Sequence, residues 1–247
     1  MSQKIAFITG GNRGLGFQTA LDLKDSGVKV VIGSRDAKQG EEAVAKLRTA
    51  GVDADVLTFD VTKPADHQAA FDYFNSKYGR LDILINNAGI AAGGFPAKGP
   101  VHSVAEVPDE TLHNVFETNF FAPIALTRTL LPLLKNSPEG RIVNLSSILA
   151  SLTLHADPKS PIYHAKSFAY DASKTALNAF TIHLAYELRH TKIKVNSAHP
   201  GWVKTEMGGS DAPMELSEGG KTSAALATLP ADGPTGRFIH MGEPLPW

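Results

Sequence analysis

A chain of 247 residues, 43% hydrophobic and 20% charged, holds enough apolar side chain for one large α/β domain or two small ones. With 24 basic against 25 acidic residues the net charge is −1, which leaves no electrostatic footprint for nucleic acid or a membrane surface. Cysteine is absent, and this excludes disulfides, thiolate nucleophiles and cysteine-bound zinc.

The first apolar run, Ile5 to Ile8, ends near Gly10 and is too short for a signal peptide. No stretch approaches the ~20 apolar residues of a membrane helix. A cytoplasmic protein is therefore expected. Short β-rich runs then alternate with longer segments of helical period, the pattern of a parallel sheet built from βαβ units. Strands are expected at 4–9, 29–33, 54–59, 82–86, 141–145 and 192–198. A first helix over 14–26 places Leu15, Ala20, Leu21 and Leu23 at helical spacing, with Gly27 as its stop. A second, over 36–50, turns Ala43, Val44 and Leu47 inward. Pro64 opens a third that runs to about Tyr78, and Pro108 precedes a fourth holding Leu112, Val115 and Phe116. The longest apolar-faced helices are expected at 122–134, where Pro132 should weaken the last turn, and at 170–190. No repeat or linker divides the chain, so a single doubly wound α/β domain over 1–247 is expected. Three irregular segments, 90–108, 148–168 and 202–229, follow strand ends, the edge at which open α/β sheets bind ligands. The third has room for short helices.

Thr9-Gly10-Gly11-Asn12-Arg13-Gly14-Leu15-Gly16 lies between the first strand and the first helix. Glycines mark any tight turn. A strand before and a helix after make this one a phosphate cradle, because the backbone must turn sharply and the helix start offers free amides and a positive dipole end. Further on, Tyr170 and Lys174 are four residues apart in a helical segment and share a face. A free phenol has a pKa near ~10, and an adjacent ammonium lowers it towards the range useful for proton transfer.

The glycine spacing is not Gly-x-Gly-x-x-Gly; it resembles the Thr-Gly-x-x-x-Gly-x-Gly pattern of the short-chain dehydrogenase/reductase family. The resemblance runs from Ile5 to about Met207. It takes in Asp60-Val61, Asn86-Asn87-Ala88-Gly89, Asn119, Ser146-Ser147, Tyr170-x-x-x-Lys174 and Pro200-Gly201-Trp202-Val203-Lys204-Thr205 in order. Phe-Phe-Ala with Leu-Leu-Pro, followed by Pro-Gly-Trp-Val-Lys-Thr, is most similar to the carbonyl reductases of that family.

The resemblance implies a Rossmann fold and the NADPH-dependent reduction of a ketone or aldehyde to the alcohol. In this reading Tyr170 donates the proton, Ser147 holds the substrate oxygen, Lys174 also bonds the nicotinamide ribose, and Asn119 anchors a relay water. Ser146 competes with Ser147, and the family pattern favours the second. The glycine-loop residues Gly10, Asn12, Arg13, Gly14, Leu15 and Gly16 would hold the phosphates. Asp60 and Val61 would border the adenine, and Asn87, Ala88 and Gly89 would line the ribose. Pro200, Gly201, Val203 and Thr205 would hold the carboxamide. Ser34 stands where NAD-preferring relatives carry an acid, and Arg35 with Arg13 suits a 2′-phosphate. Asp36 lies one residue too late but close, and Arg35 has an alternative use in pairing with Glu41 or Glu42.

The substrate is expected against Phe95, Ile148, Leu149, Tyr163, Trp202, Met207 and Met214, an apolar lining that suits alkyl or aromatic carbonyls. A 3-oxoacyl or sugar/steroid dehydrogenase of the same family is the alternative enzyme, and a non-catalytic NADPH sensor is the alternative of another class. Ser147 and Tyr170 are further apart than the family usually shows, and 154–168 looks like an insertion. In carbonyl reductases with an insertion here, the loop sits beside the active site and can obstruct the family's helix-to-helix association. A homo-oligomer, dimer or tetramer, and a monomer both stay open. None of the nine histidines forms a metal-binding pair, so no metal is expected. His199 stands just before the carboxamide turn and is placed behind it.

Overall fold

Alternation along the first strand decides the layering of the molecule. In β1 (Lys4–Ile8), Ile5 and Phe7 join the core on one face of the sheet, and Ala6 and Ile8 join the core on the other. The structure, a computed structural model, describes residues 3–91 and 104–247. Phe95 lies outside them.

The strands β2 (Val28–Ser34), β3 (Ala54–Thr58), β4 (Ile83–Asn86), β5 (Arg141–Leu145), β6 (Lys194–Ala198), β7 (Arg237–His240) and β8 (Glu243–Pro244) complete one sheet of order β3-β2-β1-β4-β5-β6-β7-β8. All neighbours pair in parallel except β7 with β8. Helices α1 (Gly14–Asp22), α2 (Ala37–Thr49) and α9 (Lys221–Ala227) cover the Ala6 face through Ala20, Val44, Leu47 and Leu226. Helices α3 (Pro64–Tyr78), α5 (Ala122–Lys135) and α7 (Phe168–Glu187) cover the Phe7 face through Phe74, Leu126, Leu130 and Leu184. Between them in the chain lie α4 (Asp109–Phe116), α6 (Leu152–Ala156) and α8 (Leu216–Gly219).

The six expected strands are present, each within two residues of its expected start. Strands β7 and β8 were not expected, since runs of four and two residues carry no readable alternation. The first helix ends at Asp22, and a 3₁₀ turn, Lys24–Ser26, leads to Gly27 at φ 64°. Helix α7 begins two residues before Tyr170 and ends at Glu187. Helix α5 runs on past Pro132 to Lys135, because Leu133 and Leu134 are buried and their packing outweighs the lost amide bond. The segment before it is a π turn, Glu117–Phe121, rather than plain α-helix, and Asn119 lies within it.

Beyond β3 the chain crosses back to β4, which lies beside β1. The strand order reverses there, and the segments after β1, β4, β5 and β6 open a cleft.

Candidate functional site

The wall after β1 is made of backbone. Gly10 and Gly14 have φ of 63° and 55°, the left-handed region that glycine alone enters without a Cβ penalty. A Cβ on Gly16 would lie 2.5 Å from the Asn87 side-chain nitrogen and 2.6 Å from the Gly10 carbonyl oxygen. Asn87 Nδ2 donates to the carbonyls of Thr9 (2.7 Å) and Gly10 (3.1 Å). The Thr9 hydroxyl in turn accepts the amides of Asn87 and Ala88, both at 3.0 Å. The ends of β1 and β4 are thus bolted together. The start of α1 carries no side-chain cap and no acidic residue in its first turn, and Arg13, Gly14 and Leu15 line the cleft. Uncapped amides at a positive dipole end, approached over glycine, fit a diphosphate.

The cleft encloses about 1140 Å³. Gly10 and Asn12 join the Arg13–Leu15 edge, and Ser34, Arg35, Asp60 and Val61 form one end. Asn87, Ala88 and Gly89 lie along the middle, facing Ser147, Tyr170 and Lys174. Ile148, Leu149, Pro200, Gly201, Trp202, Val203, Thr205 and Met207 complete the far side. Gly16 and Asn119 stand behind this lining. Two expected substrate contacts are corrected. Tyr163 turns away, with its ring edge-on to His164 and the Lys166 ammonium 5.1 Å from its centroid. Pro161, Ile162 and Ala165 line the cleft in its place, because the insertion is built of turns and its side chains follow no period. Met214 packs beneath Gly201, where its sulfur would be 2.2 Å from a Cβ.

At the Arg35 end, Asp36 is committed elsewhere: its carboxylate caps α2 by accepting the Gln39 amide at 2.9 Å. Ser34 is buried, and its hydroxyl donates to the Asp36 carbonyl at 2.7 Å. Among the described residues Arg35 forms no ion pair with Glu41 or Glu42. Its charge faces Asp60 instead. Burial pulls the Asp60 carboxyl up, but bonds from the Thr62 amide and hydroxyl, helped by Arg35, outweigh this and hold it below its ordinary value. Arg13 reaches across the cleft to pair with Glu206.

Tyr170 and Lys174, one turn apart on α7, both point towards the end of β5. Lys174 Nζ donates to the Leu145 carbonyl at 2.8 Å and lies 5.8 Å from the centre of the Tyr170 ring. Tyr170 and Ser147 both line the cleft, close enough for the serine side chain to act on the phenol. Burial pushes the phenol up to about 12, the Ser147 side chain opposes this, and the neighbouring Asp171 adds to it. This corrects the expected depression. At 5.8 Å from the ring the ammonium does not offset the loss of water around the hydroxyl. Burial also lowers Lys174 to about 8.

Ser147 faces the cleft, whereas the Ser146 hydroxyl is buried outside its lining with no hydrogen-bond partner among the described residues. Asn119 Oδ1 accepts the Ile90 amide at 2.8 Å, and its Nδ2 donates to the Ile90 carbonyl at 2.9 Å and the Ser173 hydroxyl at 3.0 Å. A Cβ on Gly89 would stand 3.3 Å from both Asn119 Oδ1 and Lys174 Nζ, so this backbone passes close between the two. His199 is buried behind the wall. Its Nδ1 accepts the amides of Ile148 (3.2 Å) and Gly201 (3.4 Å), and burial beside His240 lowers it to about 3. The sequence alone points to neither the Thr9 bolt nor the contact between His155 and Asp171. Thr9 does open the glycine motif; the other two residues carry no signal in spacing.

The sequence profile described as short chain dehydrogenase matches residues 4–216. Carbonyl reductase (NADPH) 1 of Mus musculus is 33% identical, over 100% of this chain and 99% of its own length. Among solved structures, the carbonyl reductase Sniffer of D. melanogaster superposes with a TM-score of 0.82 at 30% identity, over 100% of both chains. The NADPH-bound carbonyl reductase from chicken fatty liver gives a TM-score of 0.81 at 26% identity, again over 100% of both. The chain belongs to the short-chain dehydrogenase family.

Proposed function

We propose that this protein is an NADPH-dependent carbonyl reductase that converts a ketone or aldehyde to the alcohol, with Tyr170 as proton donor. The observation that carries the reading is the convergence of Ser147, Tyr170 and Lys174 on one cleft whose opposite wall is a glycine cradle. The names of the mouse, fly and chicken relatives point the same way.

In this reading the uncapped start of α1 and the backbone of Gly10 to Leu15 hold the diphosphate of NADPH, and Arg35 holds its 2′-phosphate, joined by Arg13 once that side chain exchanges Glu206 for the phosphate. Asp60 and Val61 border the adenine, Asn87 to Gly89 the ribose, and Pro200 to Val203 with Thr205 the carboxamide. The reduced nicotinamide supplies the hydride when bound. A phenol near 12 keeps its proton at neutral pH, which suits Tyr170 to donate rather than accept. Ser147 holds the carbonyl oxygen beside that proton and shares its developing charge. As the proton leaves, the Lys174 ammonium favours the phenolate left behind. Asn119 holds the Ile90 backbone against Ser173, and this keeps the Gly89 strand end in register with α7.

Ile148, Leu149, Ile162, Trp202 and Met207 suit a substrate with alkyl or aromatic groups. A cytoplasmic setting fits a chain without cysteine in which, among the described residues, no helix is long and apolar enough to cross a membrane. The test is incubation of the purified protein with NADPH and a panel of ketones and aldehydes. Substrate-dependent loss of NADPH absorbance is expected. Tight NADPH binding with no turnover of any compound would favour a nucleotide sensor, and turnover confined to 3-oxoacyl or sugar/steroid substrates would move the assignment within the family.

A further inference from the structure

The insertion that separates Ser147 from Tyr170 carries a histidine whose contacts reach the neighbours of both. His155, on the short α6, places Nε2 2.9 Å from the Leu149 carbonyl, two residues after Ser147, and 3.5 Å from Asp171 Oδ2, one residue after Tyr170. Its Nδ1 is 3.0 Å from Lys166 Nζ, which also donates to the His155 carbonyl at 2.8 Å. These partners settle the tautomer. A carbonyl oxygen only accepts, so Nε2 carries the hydrogen; an ammonium only donates, so Nδ1 is bare. The imidazole is therefore neutral, in keeping with burial and the Lys166 charge, which lower its pKa against the Leu149 bond. The His155 and Asp171 side chains are only 12% and 11% exposed. Asp171 Oδ2 also accepts the Ser167 amide at 2.8 Å, so one carboxylate ties the far end of the insertion to α7 as well.

We propose that His155 is a positioning residue: its Nε2–H bonds the Leu149 carbonyl in the turn that carries Ser147, while the ring packs 3.5 Å from Asp171 on the helix that carries Tyr170, so that both hydroxyls address one carbonyl oxygen. The proposal rests on the reading that those two hydroxyls act together in reduction. A second tie runs alongside: the single hydrogen of the Thr175 hydroxyl is shared between the carbonyls of Ala150 and Asp171, both at 2.9 Å. It links α7 to the Ser147 turn without His155. The contribution assigned to His155 is therefore alignment of the two hydroxyls rather than folding.

The experiment compares the parent with His155→Leu, His155→Gln, Lys166→Met and Tyr170→Phe, using a ketone turned over by the parent and measuring kcat, KM and NADPH Kd. His155→Leu keeps bulk and removes the donor; kcat should fall about tenfold or more, with NADPH Kd within about twofold. His155→Gln offers an amide donor to the Leu149 carbonyl and should recover most of that loss. Lys166→Met leaves the imidazole but frees its tautomer, and kcat should fall about threefold. A His155→Leu enzyme within about twofold of the parent kcat, or a loss that glutamine does not recover, overturns the proposal. So does a parallel loss of NADPH affinity, which would mark general damage. If His155→Leu does not fold, parent-level kcat in Lys166→Met overturns it. Tyr170→Phe separates the two failures. If it is inactive while His155→Leu is fully active, only the role of His155 falls; if it is active, the reading beneath it falls too.

Discussion

Where β1 and β4 end, the cleft is walled by main chain: Gly10, Gly14 and Gly16 leave no room or no conformation for a Cβ, and Asn87 and Thr9 bond carbonyls and amides. Across the cleft, after β5 and β6, the wall is side chain held by side chain. Ser147 lines the cleft with Tyr170, His155 bonds the Leu149 carbonyl and lies 3.5 Å from Asp171, and His199 accepts the amides of Ile148 and Gly201. A backbone wall recognises what every dinucleotide shares, its phosphates and ribose, and tolerates little change. A side-chain wall on loops can be rebuilt for a new substrate while the backbone wall stays put.

The largest effect expected lies on the side-chain wall. Tyr170→Phe should lower kcat by about 10²–10⁴-fold while leaving NADPH affinity within a few-fold, as read by single-turnover kinetics beside a binding titration. Retained turnover would take the proton-donor role from Tyr170. On the opposite side, under the proposed reading Arg35→Asp removes a charged contact to a 2′-phosphate and adds a repulsive one. The ratio of kcat/KM for NADPH over NADH should fall about 10–100-fold. Preference that survived this reversal would break the account of that end of the cleft.

Gly16→Ala sharpens the contrast between the walls. Its Cβ would have to push apart Asn87 and Gly10, so NADPH Kd should rise about tenfold with the ketone dependence of the remaining activity little changed. Unchanged NADPH binding would show that the cradle is looser than its geometry. The smallest effect concerns stability. Burial raises the Asp171 carboxyl to about 7, opposed by the Ser167 amide and the Lys166 charge. A folded-state value above the unfolded one contributes stability that is present below about pH 4 and is lost as pH rises through about 7. Urea unfolding at pH 5 and pH 8 should therefore show the parent losing about 2–3 kcal/mol between them, and Asp171→Asn losing less. Equal slopes for the two proteins would place the carboxyl in a wetter setting than its contacts indicate.

How far each wall could be read in advance follows from how it is made. The alternation in Ile5–Ile8, the glycines after it and the period of Ala43, Val44 and Leu47 are local patterns, and sheet, helices and cradle follow from them. So does the pairing of Tyr170 with Lys174 on one helix face. Ser147 was separable from Ser146 only by family pattern until the fold turned one hydroxyl into the cleft and buried the other. Tyr163 was misplaced because a segment of turns has no period from which to infer direction.

The order of elements, the glycine turn after β1 and the Tyr170–Lys174 pair were thus already present in the chain's local chemistry, where neighbours along the backbone are neighbours in space. Tertiary packing alone decided that the Tyr170 phenol titrates upward, that Asn119 sits in a π turn against Ile90, and that His155 reaches Leu149 and Asp171. Burial and hydrogen bonding between distant segments depend on which surfaces meet, and no spacing of residues within one segment carries that information.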